Sequence, residues 1–311
     1  MKLRRQSTRC AYGLAAGWLV WAALPFAAAG GERVSDAATL GLRIAISESV
    51  AGEVNGNDLR AAIKTWAEAV GRQTGVRIEP ELCTTAQLVQ RIRNRQVDAF
   101  SLNILEFERV AAYADHELVM DEVQLPDGEE YVLLVHQSSG IQSLADLRAR
   151  SLLLYRNPRM CLARIWLDTL LASAHLGAAD TFMGRIESSP KLSRVVLPVF
   201  FRQTDACLVT RRGYTTMCEL NPQLAKQLHP LAVSPKLMTA FLAFHKDSPP
   251  DSRRRFLTGI TDLHKTVEGR QAITLFGGTR LVRTDVSALR TSLELLHAYE
   301  RLKGTAPAAG Q

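Results

Sequence analysis

Three short polar clusters in this 311-residue chain carry side chains able to hold a charged or hydrogen-bonding solute. Ser47-Glu48-Ser49 follows the apolar run 42–46, Asn103 closes the run 99–102, and Arg156-Asn157-Pro158-Arg159 closes the run 151–155. Each sits at the carboxyl end of a predicted strand, the place where ligands lie in open α/β sheets. The serines and the asparagine would supply neutral hydrogen bonds. The guanidiniums of Arg156 and Arg159 would supply charge-assisted ones, with a fork suited to a planar carboxylate or a fully charged phosphate. Pro158 suits the first turn of a helix, whose free N–H groups would favour an anion. Each cluster also has a plainer reading. Ser47, Glu48 and Ser49 could form a solvated loop with capping hydroxyls, Asn103 a helix cap, and the two arginines surface charges.

Other chemistries leave little trace. The chain has no G-x-S-x-G, H-E-x-x-H, Walker loop or dinucleotide glycine pattern, so no enzyme, metal or organic cofactor is expected. Cys161, at a helix start beside Arg159, is the one candidate nucleophile, against the alternative of a buried thiol. Cys83, Cys161, Cys207 and Cys218 form no C-x-x-C pair. Cys207 and Cys218 are the nearest two for a disulfide; otherwise all four act as small apolar groups.

The elements that must position these clusters alternate between strand and helix, which argues for parallel sheets with crossovers. After strand 42–46, Leu59, Ala62, Ile63, Trp66, Ala69 and Val70 recur at helical spacing, and Gly71 or Gly75 ends the helix. Strand 76–82 leads to a basic helix capped by Thr84 or Thr85. Gln96-Val97-Asp98-Ala99 then opens a strand, and Gln203-Thr204-Asp205-Ala206 repeats that order a hundred residues later. Two such units predict an α/β fold of two lobes. Each lobe is an open, mostly parallel sheet flanked by helices, and a two-strand hinge joins them. The first lobe takes 38–135 and 241–302, the second 136–240, and 303–311 is a loose tail. Runs 131–135 and 241–244 are predicted to cross between the lobes side by side, with Tyr131 either packing the hinge or lining the cleft. Run 195–199 reads as a further strand.

Residues 1–29 read as a secretory leader: a basic start (Lys2, Arg4, Arg5, Arg9), an apolar stretch and a small-residue cleavage site at Ala27-Ala28-Ala29. A membrane anchor is the alternative, and the export route stays open. Four of the 38 basic residues leave with the leader, against 31 acidic ones, so the net charge falls from +7 to about +3. That is far from a nucleic-acid-binding footprint.

Four stretches in this order resemble a known family: the first strand with its serine-rich end, Gln96-Val97-Asp98-Ala99, the run 132–147 with its Ser-Gly-Ile-Gln-Ser-Leu-Ala-Asp-Leu ending, and Gln203-Thr204-Asp205-Ala206. They are similar to the type 2 periplasmic solute-binding proteins of ABC transporters, in the phosphate, phosphite and phosphonate branch. The resemblance implies a periplasmic monomer. It would hold a small anionic solute between its lobes and deliver it to an ABC permease, or report it to a membrane sensor. It also implies a cleft role for Asp205. The family's loop after the second lobe's first strand is usually Asp-Pro-x-Ser-Thr-Ser-Gly. Here Asn157-Pro158-Arg159-Met160-Cys161-Leu162-Ala163 stands in its place, without the hydroxyls. With Glu48 on the opposing lobe repelling a dianion, the exchange favours a carboxylate or a zwitterion over phosphate.

Overall fold

A computed structural model describes residues 40–50, 56–121, 128–274 and 278–305. The expected leader, the loop at Gly52 and residues 306–311 lie outside them. The chain runs β1 (Gly41–Ser47), α1 (Gly56–Thr74), β2 (Arg77–Cys83), α2 (Thr85–Arg93), β3 (Ala99–Asn103), a single turn α3 (Ile104–Phe107) and β4 (Ala114–Asp121). A second set follows: β5 (Tyr131–His136), β6 (Ser151–Tyr155), α4 (Ala163–Ser173), α5 (Ala179–Phe182), β7 (Arg185–Ser189), α6 (Ser193–Phe200), β8 (Ala206–Thr210), α7 (Arg211–Leu220), α8 (Gln223–Gln227) and β9 (Leu228–Val233). The last elements are β10 (Ala240–His245), α9 (Pro250–Thr261), α10 (Val267–Thr274), β11 (Leu281–Asp285) and α11 (Arg290–Thr305).

These strands make two mixed sheets flanked by helices, the two-lobe architecture expected from the sequence. The first sheet has the order β11-β4-β10-β3-β1-β2, the second β7-β6-β8-β5-β9. Parallel pairing is confined to β2-β1-β3 and β7-β6-β8; β4, β5, β9, β10 and β11 pair antiparallel. Local chemistry accounts for the element ends. Leu59, Ile63, Trp66, Ala67 and Val70 form the buried stripe of α1, and Gly75, at φ +66, stops it. Thr84 and Gln87 form a capping box at the start of α2.

Both aspartates of the repeated motif lock strand starts. Asp98 accepts from the Arg43 backbone N–H at 2.9 Å and from its guanidinium at 2.8 and 3.0 Å. Asp205 accepts from the Ser151 N–H at 2.9 Å and its hydroxyl at 2.6 Å. In each lobe the carboxylate ties the strand that follows it to the parallel neighbour, β1 or β6. Burial opposes the charge on both, but these hydrogen bonds and the Arg43 and Arg150 charges outweigh it and hold the carboxyls below their ordinary range.

Four expectations are corrected here. The sheets are mixed rather than mostly parallel, because the strands outside β2-β1-β3 and β7-β6-β8 return through each lobe in the opposite direction. Tyr131–His136 pairs with β8 and β9 in the second sheet, while Ala240–His245 pairs with β3 and β4 in the first, so those strands do not run side by side. The side-by-side crossing lies a few residues outside them: Glu129 and Leu237 exchange backbone hydrogen bonds of 2.7 and 2.8 Å. Run 195–199 lies in helix α6, because Val195, Val196 and Val199 are buried at helical rather than alternating spacing. The final helix continues through Thr305, beyond the expected start of a tail at 303.

The crossing requires a glycine. Gly128 has φ +74, and a Cβ there would lie 2.8 Å from the Leu237 backbone nitrogen. Gly140 has a similar φ of +76 with nothing within 4 Å. Gly140→Ala is therefore expected to cost only the left-handed backbone strain of about 1–2 kcal/mol. Gly128→Ala adds displacement of the crossing strand and should cost roughly 3 kcal/mol or more in urea unfolding. Equal costs would count against a close-packed crossing.

Arg253 holds the Asp115 carboxyl down at about 2, through hydrogen bonds of 2.7 and 2.8 Å between α9 and β4. Because the folded-state value is depressed, the contribution is complete above the unfolded value of about 4 and is lost as pH falls toward about 2. Stability measured by urea between pH 6 and 2.5 should fall across that window, and Arg253→Ala should make the fall shallower.

Candidate functional site

A cavity of about 820 Å³ opens between the two lobes. Its first-lobe rim is the helical turn Glu48–Val50 at the end of β1. Facing it is the 156–159 loop at the end of β6, with Pro190 beyond the end of β7 and Thr239 to Phe241 alongside. Of the residues singled out in the sequence, Glu48, Ser49, Arg156, Asn157 and Arg159 reach this wall. Glu48 and Arg156 are exposed.

The structure sets the others behind the wall or away from it. Asn103 is the cap of α3, its Oδ1 accepting from the Glu106 N–H at 3.0 Å. Tyr131 is fully buried and its hydroxyl donates to the Arg159 carbonyl at 2.7 Å, so it shapes the loop from beneath. Burial pushes that phenol well above its ordinary pKa, so it stays neutral. Asp205 sits at the amino end of β8, beside Ser151 at the start of β6, whereas the loop at 156–159 follows the other end of β6. The structure thus puts Asp205 at the opposite end of the strands from the cleft.

Ser47 and Ser49 aim at a group that the sequence reading passed over. Glu106 is buried, and its carboxylate accepts from Ser47 Oγ at 2.6 Å, Thr85 Oγ1 at 2.5 Å, Ser49 Oγ at 2.7 Å and the Asn103 N–H at 3.1 Å. A buried carboxylate demands such donors. It therefore consumes the hydroxyls gathered at the end of β1 and the start of α2, with a backbone N–H from the end of β3. The spacing Asn103-x-x-Glu106 is a capping-box pattern and was the available signal.

Arg159 is also engaged. Its guanidinium lies 2.8 Å from Glu129 Oε1 and 3.3 Å from Asp121 Oδ2, joining the second-lobe loop to the crossing segment and to the end of β4. Asn157 braces the turn, accepting from the Arg159 N–H at 3.0 Å and donating to the Tyr155 hydroxyl at 3.2 Å. Met160, Cys161 and Leu162 turn away from the cavity wall, and Cys161 Sγ lies 3.8 Å from the Thr239 carbonyl. Burial pushes the Cys161 thiol up to about 12, which leaves almost no thiolate at neutral pH. The four cysteines among the described residues are unpaired: Cys83 and Cys207 are buried, and Cys161 and Cys218 are partly so. Among the described residues no cluster of His, Cys, Asp and Glu is arranged to hold a metal, and no helix is long and apolar enough to cross a membrane.

With two lobes meeting at strand ends, the fold and the cavity can be set beside known proteins. A family model for the periplasmic substrate-binding protein of phosphonate ABC transporters matches residues 50–289. The chain belongs to this family. The family is a transport component, not an enzyme family, and its members bind solutes in the periplasm. Solved structures agree on the fold. A binding-protein component of an ABC phosphonate transporter from Pseudomonas aeruginosa has a TM-score of 0.58 at 14% identity, over 88% of this chain and 91% of that one. A Prochlorococcus marinus protein in complex with methylphosphonate gives 0.57 at 12%, over 84% and 98%. A Xanthomonas citri protein bound to ATP gives 0.60 at 16%, over 86% and 99%. A search of curated proteins found no match.

Neither side of the cleft presents a row of free hydroxyls. Its second-lobe loop lacks the hydroxyls, and its first-lobe hydroxyls are bonded to Glu106. Glu106→Ala would leave three hydroxyls and one backbone N–H without their acceptor. Urea unfolding should show a loss of about 2–4 kcal/mol. Glu106→Gln keeps one oxygen acceptor and should lose less; equal stability of all three proteins would mean the network contributes nothing.

Proposed function

We propose that the chain is exported, loses its leader near Ala29, binds a small organic acid in the cleft between its lobes, and delivers it to an ABC permease. The observation that carries this reading is the meeting of the β1 end with the β6 loop across one cavity, in a chain of a solute-binding family. A solute touching both rims is held fully only when the lobes are together, so binding favours that arrangement. The Gly128 and Leu237 crossing would serve as the hinge.

The charges around the cleft favour one class of head group. Arg156 and Arg159 face Glu48, Asp121 and Glu129, so carboxylates outnumber guanidiniums. Net repulsion is strongest for a dianion, weaker for a monoanion and absent for a zwitterion. A carboxylate or a singly charged phosphonate fits this balance better than phosphate.

Mass spectrometry of solute carried through purification, followed by thermal shift with carboxylates, amino-acid-like zwitterions, alkylphosphonates, phosphite and phosphate, tests the reading. A solute at a hundred times its Kd should stabilise the fold by about 2.7 kcal/mol. Arg156→Ala should reduce the shift. Phosphate binding more tightly than every organic acid would sink the charge argument. If no solute is carried and none shifts the transition, the cleft is not a solute site.

A further inference from the structure

The cavity continues past the cleft into the first lobe, between its sheet and its helices. The floor is a single row of neighbours across four strands: Ile46 on β1, Ser101 on β3, Leu242 on β10 and Val119 on β4. The roof comes from Ala62 and Trp66 of α1 and Ile260 of α9. Apart from Ser101, these walls are apolar. The Ser101 hydroxyl makes no hydrogen bond with the described residues.

A space between sheet and helix layers is costly, because its lining atoms forgo the contacts that close packing provides. Small ligands occupy pockets of about 300–1,000 Å³. The 820 Å³ here is near the top of that range, and an inorganic oxyanion would leave most of the apolar wall uncovered. Glu106 holds the first-lobe hydroxyls at the arm's entrance, so that lobe has few neutral donors left for a second charged group. The two guanidiniums that line the cavity, those of Arg156 and Arg159, are at its mouth on the 156–159 loop.

We propose that this arm takes the apolar body of the solute, so that the solute is an amphipathic organic acid: an acid head at the 156–159 loop and an alkyl or aryl body lying over Ser101 and beneath Ala62. This rests on the reading of the cleft as an organic-acid site and names the class of acid. Ile44, two residues before Ile46 on β1, is fully buried and closes the inner end of the space, so the arm is roughly 7 Å deep along the strand, enough for about five carbon atoms.

The test is calorimetric titration of the mature full-length chain with two series, n-alkyl carboxylates and n-alkylphosphonates, from one to eight carbons. Kd should fall about fourfold per methylene up to about five carbons and then level off. The better series identifies the head group. Ala62→Phe fills the arm from a helix position that tolerates bulk, and Ala62→Leu fills it less, in case the larger side chain disturbs the fold. In both, the ratio of short-chain to long-chain Kd should collapse, by at least tenfold for the phenylalanine and by a smaller factor for the leucine. A Kd independent of chain length would overturn the proposal while leaving the organic-acid cleft standing. So would an unchanged ratio in a folded Ala62→Phe or Ala62→Leu protein. If acids of no length bind, both the cleft reading and this extension of it fall together.

Discussion

The first lobe's half of the cleft depends on one buried carboxylate. Glu106 must be solvated by protein because water is excluded from it, and four donors answer that demand. They come from the end of β1, the start of α2 and the end of β3, three elements that no local sequence interaction would hold in register. Once the carboxylate has drawn them together, the helical turn at Glu48–Val50 has a fixed place on the rim. The same satisfaction removes Ser47 and Ser49 from ready use by a solute, since each hydroxyl has one proton to donate.

The second lobe's half is built differently. Its loop is held from beneath by the Tyr131 hydroxyl and from the side by Asn157, and its arginine reaches out to Asp121 and Glu129. A guanidinium between two carboxylates is a fastening between the lobes before it is a site for a solute anion. The residues that replace the family's hydroxyls follow the loop into the core. They do not leave a gap in the cavity wall, because Met160 and Leu162 are buried where they stand. The cleft wall carries a balance of fixed charges at Glu48, Asp121, Arg156 and Arg159, and such a balance discriminates by the net charge of what enters.

Behind that rim, the first lobe departs from close packing. Its sheet and helices are spaced by Trp66, Leu59 and Ile260 on one side and by a strand row interrupted by Ser101 on the other. A serine in the middle of an otherwise aliphatic row is smaller than its neighbours and polar, and Ala62, which also lines the cavity, is smaller still. Small residues in two packed layers leave room that larger ones would close.

Much of the fold was legible in the chain. The helical stripe of α1, the Thr84 cap and the strands ending at Ser47, Asn103 and Tyr155 follow from periodicity and turn chemistry, which are local. The α6 error has a local cause too: valines at 195, 196 and 199 are β-branched, and in a short run their type outweighed their spacing. The placement of β5 and β10 depended on which strands they hydrogen-bond, over separations of about a hundred residues, and nothing near Tyr131 or Phe241 encodes that. The site divides along the same line. Sequence alone determined that polar residues stand at strand ends and that the hydroxyl loop is absent. Only the tertiary structure decided that Asp205 faces Ser151 at the far end of its strand, that Glu106 claims the serines, and that Ser101 lines a cavity. In each case the deciding partner comes from a distant part of the chain, and a side chain's role is set by what folding brings against it.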